Sequence, residues 1–263
     1  MQGWAHAVQG TPARPAAPPE VACTSSPRRS ATLGGVNDVL SRLRGALIVS
    51  VQADEGSPMR ETGIIAAMSR AALLGGARGL RLRSPEDIRA VRALTDVPVI
   101  GLTKQAQPGS PVYITATPQE VRAVAQAGAD VVAFDGTDLP RPYAVAKLIA
   151  EAHACGALAM ADVSTLAEAR AAYAAGADIV GTTMSGYTPH SPQQAGPDFE
   201  LMRALAGAGL PFVAEGRLNT PELAAQALAS GAHAVVVGSA ITRPDHVTRW
   251  FAQALGTATD PAS

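Results

Sequence analysis

Aromatic side chains and cysteine are both scarce in this sequence. Phe, Trp and Tyr make up 4% of the 263 residues, and there are 2 cysteines. Cys23 and Cys155 stand in unrelated contexts, with no CxxC and no Cys/His cluster, so neither a disulfide scaffold nor a structural zinc is expected. The 5 histidines show no metal-ligand spacing, and no metal is expected. No apolar run approaches the ~18 residues of a membrane span. A net charge of −1 leaves no basic excess for nucleic acid or a membrane surface. These absences point to a reducing cytoplasm and to a small-molecule partner. They leave the oligomeric state open, a homodimer included.

What is present is a large apolar content, 47% hydrophobic, dominated by alanine, valine and leucine. Such composition suits helices packed on a parallel sheet better than an antiparallel sandwich. The length allows one barrel of roughly 250 residues or two smaller domains. Residues 1–35 differ in kind. Pro12, Pro15, Pro18, Pro19 and Pro27 interrupt any periodic apolar face, and a disordered extension is expected there. Arg14, Arg28 and Arg29 allow a transit-peptide reading, but without an apolar core segment a plain tail or an over-long start fits better. The ordered domain is expected over 36–258, with a flexible end at 259–263.

From Asp38 the chain becomes regular. After a short leading helix over 39–43, Gly-Ala followed by an apolar run recurs at Gly45, Gly76, Gly128, Gly156, Gly176 and Gly231. Glycine ends a helix with a left-handed cap, alanine permits close passage, and a strand starts within two or three residues. Two longer intervals each hold a strand introduced by proline, at Pro98 and Pro211. Strands are therefore expected near 47–51, 79–82, 98–102, 131–134, 158–161, 178–181, 211–214 and 234–237. Helices are expected over 62–74, 85–94, 118–127, 142–154, 165–175, 198–208, 220–230 and 245–255. Eight alternations predict a (β/α)8 TIM barrel. The rival, a doubly wound open sheet, would need a Gly-rich turn after Val51, and none is present.

In a barrel of this type reactive groups project from the C-terminal strand ends. There the sequence places Gln52, Arg81, Lys104, Asp135, Asp162, Thr182, Thr183, Glu215, Gly238 and Ser239. Any one could be a solvated loop residue or half of an ion pair; as a ring they suggest a site. Lys104 follows strand three and Glu215 strand seven, four strands apart, so an amine and a carboxylate would face each other across the mouth. That arrangement suits removing a proton from one face of a carbon and returning one to the other. Asp135, on the neighbouring strand, could orient the amine. A phosphate contact for Lys104, and an ion pair of Glu215 with Arg217, are the competing readings. Gly216, Arg217, Gly238, Ser239 and Arg243, after strands seven and eight, form an expected phosphate site. FMN would bind at the same place, but no independent flavin signal is present, and no cofactor is expected. His190 could line the mouth.

Several strings resemble one family. They include Pro111-Val-Tyr-Ile-Thr, Met160-Ala-Asp-Val-Ser-Thr, Gly181-Thr-Thr-Met-Ser-Gly-Tyr-Thr, Ala214-Glu-Gly-Arg and Val237-Gly-Ser-Ala-Ile-Thr-Arg-Pro. Spread in order over about 44–255, they resemble N-acetylmannosamine-6-phosphate 2-epimerase. The resemblance implies a (β/α)8 barrel that interconverts N-acetylmannosamine 6-phosphate and N-acetylglucosamine 6-phosphate in sialic-acid breakdown. It implies that Lys104 and Glu215 act on the C2 proton, and that Gln52, Arg81 and Asp135 contact the sugar. Gly238, Ser239 and Arg243 would lie near the phosphate. Three positions depart from the family pattern: Leu139 replaces an arginine, Val51 a common cysteine and Ala116 a common proline.

Overall fold

The structure is a computed structural model and describes residues 35–257. The tail expected over 1–35 falls, but for its last residue, outside the described residues, as does the chain end at 259–263. Eight parallel strands close into a barrel in the order of the chain. They are β1 (Ala46–Val51), β2 (Gly79–Leu82), β3 (Val99–Gly101), β4 (Val131–Asp135), β5 (Leu158–Asp162), β6 (Ile179–Gly181), β7 (Phe212–Ala214) and β8 (Ala234–Val237). The seam pairs β1 with β8, Ile48 opposite Val236. The open doubly wound sheet is thereby excluded.

The helices are α1 (Gly35–Leu43), α2 (Thr62–Leu74), α3 (Pro85–Arg92), α4 (Pro118–Gln126), α5 (Val145–Ala154), α6 (Leu166–Ala174), α7 (Phe199–Gly207), α8 (Pro221–Ala229), α9 (Ser239–Thr242) and α10 (Pro244–Ala254). Local chemistry explains where they begin. Ser84, Thr117, Thr165, Asp198 and Thr220 each accept a hydrogen bond from the backbone amide three residues on. Such caps contribute about 1 kcal/mol apiece. The leading helix starts earlier than expected, at Gly35. The four-residue helix α9 and a 3-10 turn at Thr182–Met184 were not foreseen.

Alternation along the strands separates two apolar layers. Val49, Val51, Leu80, Leu82, Val132 and Phe134 face outward and pack with the helices. Ile48, Ile100, Val131, Leu158, Met160, Ile179, Val213 and Val236 fill the barrel, with Leu43 from α1 in the same cluster. Continuing the inward parity beyond the apolar layer gives Ser50 and Gln52, Lys104, Asp135, Asp162, Thr183, Glu215 and Gly238. Arg81, on β2, belongs to the same layer and is 1% exposed. The site is thus the next layer of the barrel interior.

Cys155 does not present a free thiol. Cys23 lies outside the described residues. Among the described residues no helix is long and apolar enough to cross a membrane, and no His, Cys, Asp and Glu cluster could hold a metal ion.

Candidate active site

A cavity of about 450 Å³ opens at the C-terminal ends of the strands. Of the expected site residues, Gln52, Arg81, Lys104, Glu215, Gly216, Arg217, Gly238, Ser239 and Arg243 line it together. Asp135 and Asp162 do not. Both are fully buried one step behind the wall.

Lys104 owes its position to a short antiparallel excursion after β3. It bridges Ile114, Gln105 N–H donates to Tyr113 O, and Thr115 N–H donates to Thr103 O. The turn is made at Pro108-Gly109, with Gly109 at φ 71°. Thr115, at φ 42°, is one of two non-glycine residues in the left-handed region among those described. Its hydroxyl accepts from Thr103 N–H, while Thr103 Oγ1 donates to Glu120 at the start of α4. The lysine therefore stands on a braced loop. Burial lowers its pKa, and the Arg81 charge lowers it further against the pull of Glu215.

Glu215 is fixed from β6 and β2. Thr182 Oγ1 donates to Glu215 O at 2.8 Å and accepts from Glu215 N–H at 3.0 Å. Its carboxylate lies 3.0 Å from Arg81 Nη1 and 3.2 Å from Thr183 Oγ1. The expected alternative, pairing with Arg217, is not what the chain adopts. Arg217 sits at φ 56° after Gly216 at φ 118°. Its guanidinium donates to Gly196 O and Ser185 O, with the Tyr187 ring centroid 5.3 Å away. Burial raises the Glu215 pKa; Asp162 adds to the rise, while Arg81 and Lys104 oppose it. The amine and the carboxyl are both drawn toward neutrality, as a proton-transferring pair requires.

Arg81 is the largest fully buried side chain of the described residues. Nη2 and Nη1 donate to the two Asp162 oxygens at 2.6 and 3.2 Å. Burial works against its charge, but Asp162 and Glu215 outweigh burial and hold the pKa above the ordinary guanidinium value. Room for this pair comes from Gly181: a Cβ there would meet Met160 Cε at 2.5 Å and Asp162 Oδ1 at 2.8 Å. Asp135 is engaged elsewhere. It accepts from Thr137 and Arg141 and no hydrogen bond joins it to Lys104, which corrects the expectation that it orients the amine. Gln52 Nε2 donates to Ser50 Oγ. Gln52 Oε1 and Arg81 Nε, at the cavity wall, are buried without a partner.

The expected phosphate site is built from two turns. Gly238 precedes the short α9, whose terminal Thr242 Oγ1 donates to Ser50 O. Arg243 is held by Asp54 at 2.8 Å and Asp245 at 2.9 Å. Its hydrogen bonds with Asp245 push that carboxyl down to about 2. His190 does not line the mouth. It belongs to a separate cleft with Arg141 and Glu168. Sequence reasoning missed Asp54, Tyr113 and Tyr187 on the cavity wall. The Pro108-Gly109 turn was the available signal for Tyr113.

A family model described as "NanE: Putative N-acetylmannosamine-6-phosphate epimerase" matches residues 65–257. The chain belongs to the NanE family. A NanE relative from Klebsiella pneumoniae, named "Putative N-acetylmannosamine-6-phosphate 2-epimerase", is 48% identical over 84% of this chain and 94% of its own. A "Bifunctional enzyme NanE/NanK" from Brucella suis is 47% identical over 90% of this chain. The chain spans about half the length of that relative, 46% of it. Among solved structures, the N-acetylmannosamine-6-phosphate 2-epimerase from Clostridium perfringens superposes with a TM-score of 0.81 at 39% identity, covering 88% of this chain and all of the other.

Proposed function

We propose that this chain interconverts N-acetylmannosamine 6-phosphate and N-acetylglucosamine 6-phosphate without a cofactor. The observation that carries the reading is that Lys104 and Glu215 line one cavity from β3 and β7, four strands apart in a closed order of eight. Membership in the NanE family gives the substrate class.

In this scheme the 6-phosphate occupies the turns at Gly216–Arg217 and Gly238–Arg243, and the sugar opens to its aldehyde. The C1 carbonyl acidifies the C2 hydrogen. Lys104 in its neutral form, or Glu215 as carboxylate, takes that proton, and the electron pair of the C2–H bond moves onto O1 as an enolate. The group opposite then protonates C2 on the other face, which inverts the centre. The direction of reaction decides which group acts as base. Gln52 Oε1 and Arg81 Nε are buried polar atoms that a hydroxylated ligand would satisfy. Asp162 and Asp135 act behind the wall, Asp162 by fixing Arg81.

The reading carries a cytoplasmic setting and a homodimer with it. Incubation with N-acetylmannosamine 6-phosphate, followed by NMR of the anomeric protons, tests the activity. N-acetylglucosamine 6-phosphate should accumulate with no added cofactor; an unchanged spectrum would remove the proposal.

A further inference from the structure

We propose that Asp54 competes with the ligand's phosphate for Arg243, so that a phosphoryl group binds by displacing this carboxylate from the guanidinium. The inference rests on the reading of Gly238–Arg243 as a phosphate site. It follows from how the hydrogens of Arg243 are shared. A guanidinium can grip an anion bidentately along either of two forks, Nε with Nη2 or Nη1 with Nη2.

Asp245 takes the first fork. Arg243 Nε donates to its Oδ1 at 3.1 Å and Nη2 to its Oδ2 at 2.9 Å. Asp245 stands in the first turn of α10, two positions along the chain, so this fork fixes the side chain. Asp54, from the loop after β1, lies 2.8 Å from the same Nη2. With one Nη2 hydrogen committed to Asp245, the contact to Asp54 uses the other, which belongs to the second fork. That fork is the one left for a ligand, and Asp54, Gly238, Ser239 and Arg243 line the same cavity. A phosphate held there bidentately must therefore displace Asp54.

The displacement costs little. The Asp54 side chain is 68% exposed against 12% for Arg243, so the carboxylate can turn into water while the arginine stays in place. Ion pairs with so exposed a partner contribute little to stability. A phosphate dianion carries more charge than the carboxylate it replaces, whereas a sugar hydroxyl carries none. The pair thus selects the phosphorylated sugar over its unphosphorylated form, by setting a competitor that only an anion can remove. Glu55, next in the chain and 75% exposed, pairs with Arg83 and Arg60 instead.

The test is a titration of the ¹⁵N-labelled full chain with inorganic phosphate at constant pH and ionic strength, following the Gly238 and Ser239 amides by NMR. Asp54→Asn, on an exposed loop that leaves the core untouched, should tighten the dissociation constant about three- to fivefold, the upper range for an exposed ion pair. Glu55→Gln removes the same charge one residue away and should leave the constant unchanged. In an Arg243→Gln background, Asp54→Asn should have no effect. Binding that is unchanged or weaker in Asp54→Asn overturns the proposal and leaves the phosphate reading standing. Equal tightening in Glu55→Gln would reduce the effect to bulk charge and overturn the proposal too, as would tightening that survives Arg243→Gln. Amides that fail to respond to phosphate in any of these proteins would remove the phosphate reading, and the proposal with it.

Discussion

Glu215 at the end of β7 reaches across to Arg81 on β2, 3.0 Å away, and not to Arg217 two positions along its own chain. The consequence is an acid that shares a buried cation with Asp162 while still touching the cavity. Arg81 therefore couples the stability of the barrel to the state of its mouth.

Breaking that pair from one side should be costly. Arg81→Met leaves the Asp162 charge buried and uncompensated, and such truncations lose about 3–5 kcal/mol. The double variant Arg81→Met/Asp162→Leu should recover much of this loss. Urea denaturation of the two variants measures the difference.

The glycine that makes room for the pair should not tolerate a methyl group. In Gly181→Ala the Met160 end can swing aside, but Asp162 is pinned by Arg81. A loss of about 1–3 kcal/mol is expected from the overpacking. Thermal unfolding at neutral pH is the measurement.

Stability should carry the mark of both shifted groups. The Glu215 pKa is raised in the folded state, so between its unfolded value near 4.3 and the raised one the folded chain holds a proton that the unfolded chain has lost. Stability from this group is full below about pH 4.3 and falls as pH rises through the folded value. Lys104 is shifted down, so its penalty is relieved as pH rises from the lowered value toward about 10.4. Glu215→Gln should remove the first dependence and Lys104→Met the second, in denaturation midpoints measured across pH.

At the proposed phosphate site, Arg243→Gln should raise KM for the phosphorylated sugar by about tenfold or more, the loss of a charge-assisted hydrogen bond. The kcat should change far less, because the proposed contact is remote from C2 and would be the same in ground and transition states. Steady-state kinetics separates the two.

The eight strands were legible because glycine, alanine and proline punctuate them and their apolar runs are continuous; the observed bounds differ from expectation by one residue or none at each end. The ring of strand-end residues was legible too, since inward parity repeats every second residue. Partner choice was not. Whether Glu215 meets Arg217 or Arg81 depends on the left-handed turn at Gly216 and Arg217, which rotates the nearer arginine toward Gly196. Asp135 was misread for a related reason: Arg141, six residues on, folds back onto it. The hairpin that carries Lys104 and Tyr113 was overlooked because its two isolated bridges leave no alternating run to read.

The central claim is that Lys104 and Glu215 move the C2 proton between the faces of the sugar. Incubation with N-acetylmannosamine 6-phosphate in deuterium oxide, stopped at low conversion, tests it most directly. Product formed by two groups should carry solvent deuterium at C2, and Lys104→Met or Glu215→Gln should slow its formation by several orders of magnitude. Product that keeps the original hydrogen at C2, or forms at an undiminished rate in either variant, would contradict the account.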